Sequence, residues 1–298
     1  MPFDFSWKNL IFGPGNHLLK FVLNASVNWV KTPDLLKLWG YTQQDKCALC
    51  NSPGCSLHHI LCNCDVALKQ RRYNWRHDSV LKRILVAVKE RLLSAKTVST
   101  SHRKIVFVKR GEQPPKVKCI RKAQSLLDCA SDWQVGADFD HHQFQFPSVI
   151  CSTSQRPDLV IWSNSRKVVV LAELTCPSEE GIQNASNRKQ ARYVDLMLLI
   201  RQHQWTPHLF TIEVGVRGFV ANSTRKFLRS LGLSRQNTSK VLKDLSWISA
   251  KCSYEIYNAL TCIHWDARKS LLELPNNENL LKKAQNASVG TPSVAGEP

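Results

Sequence analysis

Two short apolar segments joined by a polar turn predict a β-hairpin in the middle of this chain of 298 residues. The segments are 158–162 and 168–172, and the residues between them suit a four-residue loop, 164–167. The second segment is continuously apolar, which is typical of a strand that is buried on both faces. We expect the rest of the chain to be organised around this hairpin.

The hairpin is predicted to place two acids opposite each other. With a four-residue loop, Ser163 pairs with Val168, and counting back from that pair brings Asp158 opposite Glu173. Directly opposed residues on antiparallel strands have Cβ atoms ~5 Å apart and point to one face of the sheet. Two like charges there repel each other, and the simplest compensation is a cation with oxygen ligands, such as Mg²⁺ or Mn²⁺.

The segment after the hairpin predicts an amphipathic helix. Pro177 and Ser178 end the strand, and Ser178 is predicted to cap the helix. Glu179 and Glu180 are then predicted to lie at the positive end of the helix dipole. At 100° per residue, Lys189 falls within the apolar stripe and not on the solvent face. The other members of that stripe are Ile182, Tyr193, Leu196 and Ile200.

A lysine aimed at two opposed acids makes a constellation suited to metal-assisted phosphodiester cleavage. In that interpretation Asp158 and Glu173 hold the metal, and Lys189 orients the attacking water or stabilises the charge of the transition state. The alternative is that Lys189 only extends past the edge of the core and that both acids are ordinary strand ends.

A cluster of cysteines and histidines in the first quarter of the chain predicts a zinc site. Five of the 11 cysteines lie between Cys47 and Cys64, and no secretory signal is recognisable at the start, so metal ligands in a reducing compartment are expected instead of disulfides. The spacing predicts one structural Zn²⁺ held by Cys47, Cys50, His59 and Cys64. His58 and Cys62 are competing ligands, and Cys55 is predicted to be a bystander. A loop of free cysteines is the alternative.

The chain is strongly basic, with 41 Lys and Arg residues against 23 Asp and Glu residues and a net charge of +18. This charge favours a polyanionic partner, nucleic acid first and an anionic membrane surface second. No apolar run approaches the ~18 residues that a membrane span needs, so no transmembrane segment is expected. Lys69, Arg71, Arg72 and Arg76 form a basic helix side that is predicted either to lie on phosphates or to be a solvated face.

The length suits about two domains. We predict a helical segment over 1–45, a zinc module with a basic helix over 46–93, a larger domain over 101–265 and a disordered tail over 276–298, with a polar boundary at 94–102. Beyond the hairpin and its helix, helices are predicted at 17–30, 34–39, 67–93, 117–131, 223–231 and 240–259, and extended segments at 105–108, 132–138, 144–151 and 208–216. This order predicts an α/β (α+β) fold with a mixed sheet flanked by helices.

Several motifs together resemble one family. The sequence RPD at 156–158, ELTCP at 173–177, and Lys189 followed by Arg192 and Tyr193 are similar to the restriction-like endonuclease of LINE-type non-LTR retrotransposons. That domain belongs to the PD-(D/E)XK nuclease superfamily. The family resemblance extends to TPDLLKLW at 32–39, the Cys-Cys-His-Cys knuckle, YNWRHD at 73–78 and VGVRGFVA at 214–221, and so runs from about residue 10 to 265.

The resemblance implies a fold and an activity. The fold is a PD-(D/E)XK core over 101–265, preceded by a small helical zinc-knuckle module. The activity is metal-dependent nicking of DNA in the nucleus, with Asp158 and Glu173 as ligands of Mg²⁺ or Mn²⁺, and RNA of a parent element as a second expected partner. The superfamily's usual lysine would stand at Thr175, but in this branch it lies on the following helix, which Lys189 matches.

The resemblance also marks further residues. Arg156, Arg192 and Tyr193 become candidates for contacts with phosphate or for support of the metal's water, and Glu179 and Glu180 have a weaker claim to the site. The chain lacks the Tyr-x-Asp-Asp site of a reverse transcriptase, so no copying of RNA is expected. The alternatives to a nuclease are a nucleic-acid-binding remnant that has lost cleavage and a structural zinc protein.

Overall fold

The computed structural model of this protein describes residues 3–4, 16–97, 125–139 and 143–266. The strands in these ranges are β1 (Phe3–Asp4), β2 (Gln134–Ala137), β3 (Leu159–Ser163), β4 (Val168–Thr175), β5 (Thr206–Glu213) and β6 (Val220–Ala221). The α-helices are α1 (Asn16–Ser26), α2 (Pro33–Leu38), α3 (Asp65–Lys69), α4 (Arg72–Thr97), α5 (Ile182–Arg192), α6 (Val194–Gln202), α7 (Asn222–Ser230) and α8 (Arg235–Asn258).

A mixed sheet of four strands, in the order β2-β3-β4-β5, lies at the centre of the fold. The pairs β2–β3 and β3–β4 are antiparallel, whereas β4 and β5 are parallel. A parallel connection needs a long crossover, and α5 and α6 provide it. Ser163 lies opposite Val168 and Leu159 opposite Ala172, so the predicted register of the hairpin is confirmed.

Both faces of the sheet are covered, which is why six consecutive residues of β4 are buried. On one face, Val170, Ala172 and Leu174 pack in a core with α4, α7 and α8. On the other face, Val169 and Leu171 pack against the stripe formed by Tyr193, Leu196 and Ile200. The α/β class with a mixed sheet flanked by helices is therefore confirmed. The PD-(D/E)XK assignment within that class stays an expectation.

Helix α4 belongs to the same core as the sheet. Its predicted apolar stripe is buried, namely Val80, Leu81, Ile84, Leu85, Val88 and Leu92. The helix predicted over 67–93 is divided, because Arg71 adopts a φ of 60° between α3 and α4. The helix predicted after the hairpin is also divided, at Tyr193 between α5 and α6, where φ is −99°. The limits predicted for the domains stay a prediction.

A second apolar core joins the N-terminal helices and the cysteine loop to α8. Leu18, Phe21, Val22 and Ala25 of α1 are buried in it as predicted. Trp29, which was predicted to share their face, lies beyond the end of α1 and is 60% exposed. Helix α2 begins at the predicted restart, and Gly40 follows it with a φ of 78°.

Other predicted elements differ from the structure. Within the helix predicted over 117–131, the described residues form only a short 3₁₀ turn, Leu126–Cys129, and the Trp133 indole N–H donates to the Leu127 carbonyl (3.0 Å) at this turn. Residues 144–151 contain a turn and no strand. The predictions for 105–108, 117–124 and 276–298 lie outside the described residues. Among the helices that are described, none combines the length and apolarity needed to cross a bilayer.

Candidate functional site

The cysteine and histidine cluster forms a compact site. The ligand atoms of Cys47, Cys50, His59 and Cys64 all lie within 4.8 Å of one another. The sulfurs of Cys47 and Cys64 are 3.9 Å apart. A tetrahedral zinc with Zn–S bonds of about 2.3 Å separates two sulfurs by about 3.8 Å. The four residues predicted from spacing therefore fit one structural metal such as zinc.

Local turns bring these four residues together. Asn51 and Gly54 adopt φ values of 61° and 66°, and the Asn51 amide donates to the Cys47 carbonyl (2.8 Å), so the chain reverses directly after the first two cysteines. A π-helical turn, His59–Asn63, then leads from the histidine to Cys64. His58 and Cys62 lie outside the cluster and line a cavity beside Arg217, so neither replaces the predicted ligands.

The thiols of the cluster do not ionise equally in the absence of a cation. Burial raises the pKa of the Cys64 thiol to about 11, and the neighbouring Cys47 adds to this effect. Burial also acts on Cys50, but hydrogen bonds with the side chain and backbone of Ser52 outweigh it and lower the pKa of Cys50 to about 6. Three crowded thiolates need a bound cation, which is the chemistry of a structural zinc site.

The two acids of the hairpin meet at the ends of β3 and β4. The Asp158 amide donates to Glu173 Oε2 (3.2 Å), and the Leu174 amide donates to Asp158 Oδ2 (2.7 Å). The Lys189 ammonium donates to Glu173 Oε1, and the Tyr193 hydroxyl donates to Glu173 Oε2 (2.8 Å). The structure thus brings Asp158, Glu173 and Lys189 together, as their spacing predicted, and adds Tyr193 as a direct partner of Glu173.

The acid pair combines a buried carboxylate with a more accessible one. The Glu173 side chain is 2% exposed, and burial together with the charge of Asp158 raises its pKa although Lys189 opposes this. The Asp158 side chain is 16% exposed. Among the described residues, no donor reaches Asp158 Oδ1. Carboxylate oxygens are the type of hard ligand that divalent cations such as Mg²⁺ or Mn²⁺ take.

A histidine that the sequence analysis did not single out also reaches this site. His77 Nε2 lies 3.4 Å from Asp158 Oδ2, and His77 Nδ1 lies 3.0 Å from Asp78 Oδ1. Burial alone lowers the pKa of His77, but the hydrogen bonds with Asp158 and Asp78 prevail and raise it well above its usual value. The only sequence signal for His77 was its place in the YNWRHD motif, because no spacing rule connects it with a residue 81 positions away.

The residues predicted to contact phosphate fall into two groups. Arg156 is 44% exposed and pairs with Asp138 (2.8 Å), and Arg192 lies with its guanidinium 5.6 Å from the centre of the Tyr193 ring. Both are at the rim of the acid site. Tyr193 itself is fully buried, so its side chain is not available to a phosphate, and its hydroxyl donates to Glu173, which leaves the predicted support of the metal's water as its candidate role.

The basic helix side also needs correction. Arg72 is fully buried and donates to the carbonyls of Ala259 (2.7 Å) and Cys262 (2.6 Å), a position that argues against its predicted contact with nucleic acid. Arg76 is buried as well and donates to the Leu61 carbonyl. The solvent-exposed members of the predicted set are Lys69 and Arg71.

Glu179 and Glu180 are not part of the acid site. Both bind Arg217, whose guanidinium also donates to the Ala25 carbonyl (3.0 Å). The Ser178 side chain makes no capping hydrogen bond, so the predicted cap is wrong. These residues form a joint between α1 and the turn that precedes α5.

No protein-family model and no curated protein matches this sequence.

Proposed function

We propose that this protein is a metal-dependent endonuclease that nicks DNA at the site formed by Asp158, Glu173 and Lys189. The observation that carries the proposal is the meeting of two opposed carboxylates with one ammonium group at the ends of β3 and β4. The resemblance to the retrotransposon endonucleases supports the proposed activity. The net charge of +18 supports DNA as the substrate, because DNA is a polyanion.

Each residue has a role in the proposed reaction. Asp158 and Glu173 would hold the divalent cation, which supplies Lewis acidity at the scissile phosphate and lowers the pKa of water. Tyr193 donates to Glu173 and keeps this carboxylate turned toward Asp158. Burial and the Glu173 charge raise the pKa of Tyr193, so its hydroxyl stays a hydrogen-bond donor at neutral pH.

Lys189 supplies the positive charge that, in most members of the superfamily, comes from a lysine on the same strand as the second acid. Thr175 stands at that strand position and has no charge. Lys189 projects from α5, and its ammonium reaches the same carboxylate. With a cation bound by the acids, that ammonium would be available to orient the attacking water or to stabilise the charge on the phosphate oxygens.

The test is nicking of a supercoiled plasmid by zinc-loaded protein with Mg²⁺ or Mn²⁺, with and without chelator. Asp158→Asn and Glu173→Gln should each reduce the rate by at least about 10²-fold and leave DNA binding unchanged. Asp195→Asn is the matched control, because Asp195 is an exposed acid on the neighbouring α6. Equal nicking by the parent and the Asp158 variant would overturn the assignment.

Lys189 is tested against its neighbour on α5. Lys189→Gln should lose cleavage and keep cation binding, whereas Arg188→Gln, at an exposed position, should nick at the rate of the parent. If Lys189→Gln cuts normally, the side chain only packs beside Glu173. Salt-dependent DNA binding without nicking in either metal would favour the binding remnant over the nuclease.

A further inference from the structure

His77 approaches the acid site from a different element than any other member. It lies in the second turn of α4, whereas Asp158 precedes β3, Glu173 lies on β4 and Lys189 lies on α5. Its side chain is 25% exposed, so it lies at the edge of the site and not in the apolar core. The sheet, the crossover helix and α4 thus converge on one pair of carboxylates.

Each ring nitrogen of His77 faces a carboxylate oxygen. Nε2 lies 3.4 Å from Asp158 Oδ2, and Nδ1 lies 3.0 Å from Asp78 Oδ1. The ring cannot turn or flip without losing one of these contacts. A histidine held by a second carboxylate in this way has a defined orientation, as metal-site histidines and their supporting groups do.

The same Asp158 oxygen also accepts the Leu174 amide (2.7 Å). The Leu174 amide and His77 Nε2 both lie at Oδ2 and orient the carboxylate, so Oδ1 is the oxygen that no donor among the described residues reaches. We propose that His77, held by Asp78, is a positioning residue that presents Asp158 to the divalent cation, an inference that rests on the proposed function.

The position of His77 is set by the zinc module. The Tyr73 hydroxyl accepts the Cys64 amide (3.0 Å) and donates to the Ile60 carbonyl (2.9 Å), so the first turn of α4 is bound to the zinc loop. Arg76, adjacent to His77, donates to the Leu61 carbonyl (3.0 Å) and to Ser253 Oγ of α8 (3.1 Å). Tyr73 and His77, four residues apart on α4, therefore link the zinc loop to Asp158 through one helical turn.

The test compares two substitutions that keep a polar side chain. In His77→Gln the amide nitrogen takes about the place of Nε2 and can still donate to Asp158. In His77→Asn the amide reaches only the place of Nδ1. Mn²⁺ binding to zinc-loaded protein is measured by electron paramagnetic resonance of the free ion, with Asp158→Asn as the baseline for sites elsewhere. Lys82→Gln is the control, at an exposed position on the same helix.

We expect His77→Asn to raise the Mn²⁺ dissociation constant by about 10-fold and His77→Gln by less than about 3-fold. Nicking by His77→Asn should recover at saturating Mn²⁺, because the chemistry of the site is unchanged. Zinc content and melting temperature verify that both variants are folded.

Two outcomes separate this inference from the proposed function. If His77→Asn binds Mn²⁺ as tightly as the parent, His77 does not position Asp158, whether or not the protein nicks DNA. If the parent binds Mn²⁺ through Asp158 and the His77 variants differ as expected, but no variant nicks DNA, the positioning role stands and the endonuclease proposal fails.

Discussion

The zinc cluster and the acid site are assembled in opposite ways. The four zinc ligands come from one loop, with only 17 positions between the first and the last. The acid site draws its members from α4, the start of β3, β4 and α5, and the contact between His77 and Asp158 alone spans 81 positions. A local cluster depends on turns, whereas a dispersed site depends on the register and packing of the whole fold.

The two sites also differ in how open they are to solvent. The zinc cluster has four ligand atoms for one tetrahedral ion, and Cys47 and Cys64 are buried, so it fits a closed structural site. The acid site has an accessible Asp158 and a Lys189 side chain that is 27% exposed. A site that keeps an open side can admit a substrate, so the difference suits a structural role for the zinc cluster and the chemistry that we propose for the acid site.

The largest expected effect tests the supporting role. Cys47→Ser should lose the bound zinc and lower the free energy of unfolding by more than about 4 kcal/mol, because metal binding contributes directly to folding. Metal analysis and urea denaturation measure the two quantities. Cys62→Ser is the control and should keep one equivalent of zinc, since Cys62 lies outside the cluster. Loss of zinc from the Cys62 variant would contradict the ligand set.

Arg72 tests whether its hydrogen bonds stabilise the packing of the start of α4 against the segment that follows α8. Arg72→Gln should lower the free energy of unfolding by about 3 kcal/mol, because it leaves the carbonyls of Ala259 and Cys262 without their charged donor. The affinity of the folded variant for DNA should equal that of the parent in a binding titration. A stable variant with weakened DNA binding would restore the phosphate contact that the structure argues against.

Asp132 tests how much the turn between β3 and β4 contributes to stability. It accepts hydrogen bonds from Ser163 Oγ (2.6 Å) and from the Ser165 amide (2.8 Å), and these bonds lower its pKa. A lowered pKa means that the ionised form stabilises the fold above about pH 4, and that this contribution is lost as the pH falls toward the folded-state pKa.

Asp132→Asn should therefore lower the free energy of unfolding by about 1 kcal/mol at pH 7, a modest value because the carboxylate is partly exposed. The difference from the parent should shrink at pH 3. Urea denaturation at the two pH values measures both, and a difference that grows on acidification would show that Asp132 does not clamp the turn as its ionised form.

The smallest effect is expected at Lys69, an exposed cation beside the zinc loop. Lys69→Gln should change the free energy of unfolding by less than about 0.5 kcal/mol. If Lys69 contacts a phosphate, the slope of the logarithm of DNA affinity against the logarithm of salt concentration should fall by about 1. An unchanged slope would identify Lys69 as part of a solvated helix face.

Sequence reasoning reached those parts of the fold that local geometry dictates. The length of the hairpin loop and the two-residue repeat of a strand were enough to place Asp158 opposite Glu173. The 3.6-residue repeat of a helix was enough to direct Lys189 toward them. The zinc ligands followed from spacing within one loop. Hydrogen bonding and covalent geometry within a short segment set these relations, so no knowledge of the remaining chain was needed.

Tertiary structure decided what distant segments do to each other. It placed His77 beside Asp158 and buried Arg72 against carbonyls 187 and 190 positions away. Glu179, which was predicted to interact with a helix dipole, instead accepts a hydrogen bond from Arg217. A basic or acidic side chain has the same sequence signature on a solvated face and at a buried joint. Whether it meets water or a partner depends on how complete helices and strands pack, because the cost of burying a charge is offset only by partners that packing brings into contact.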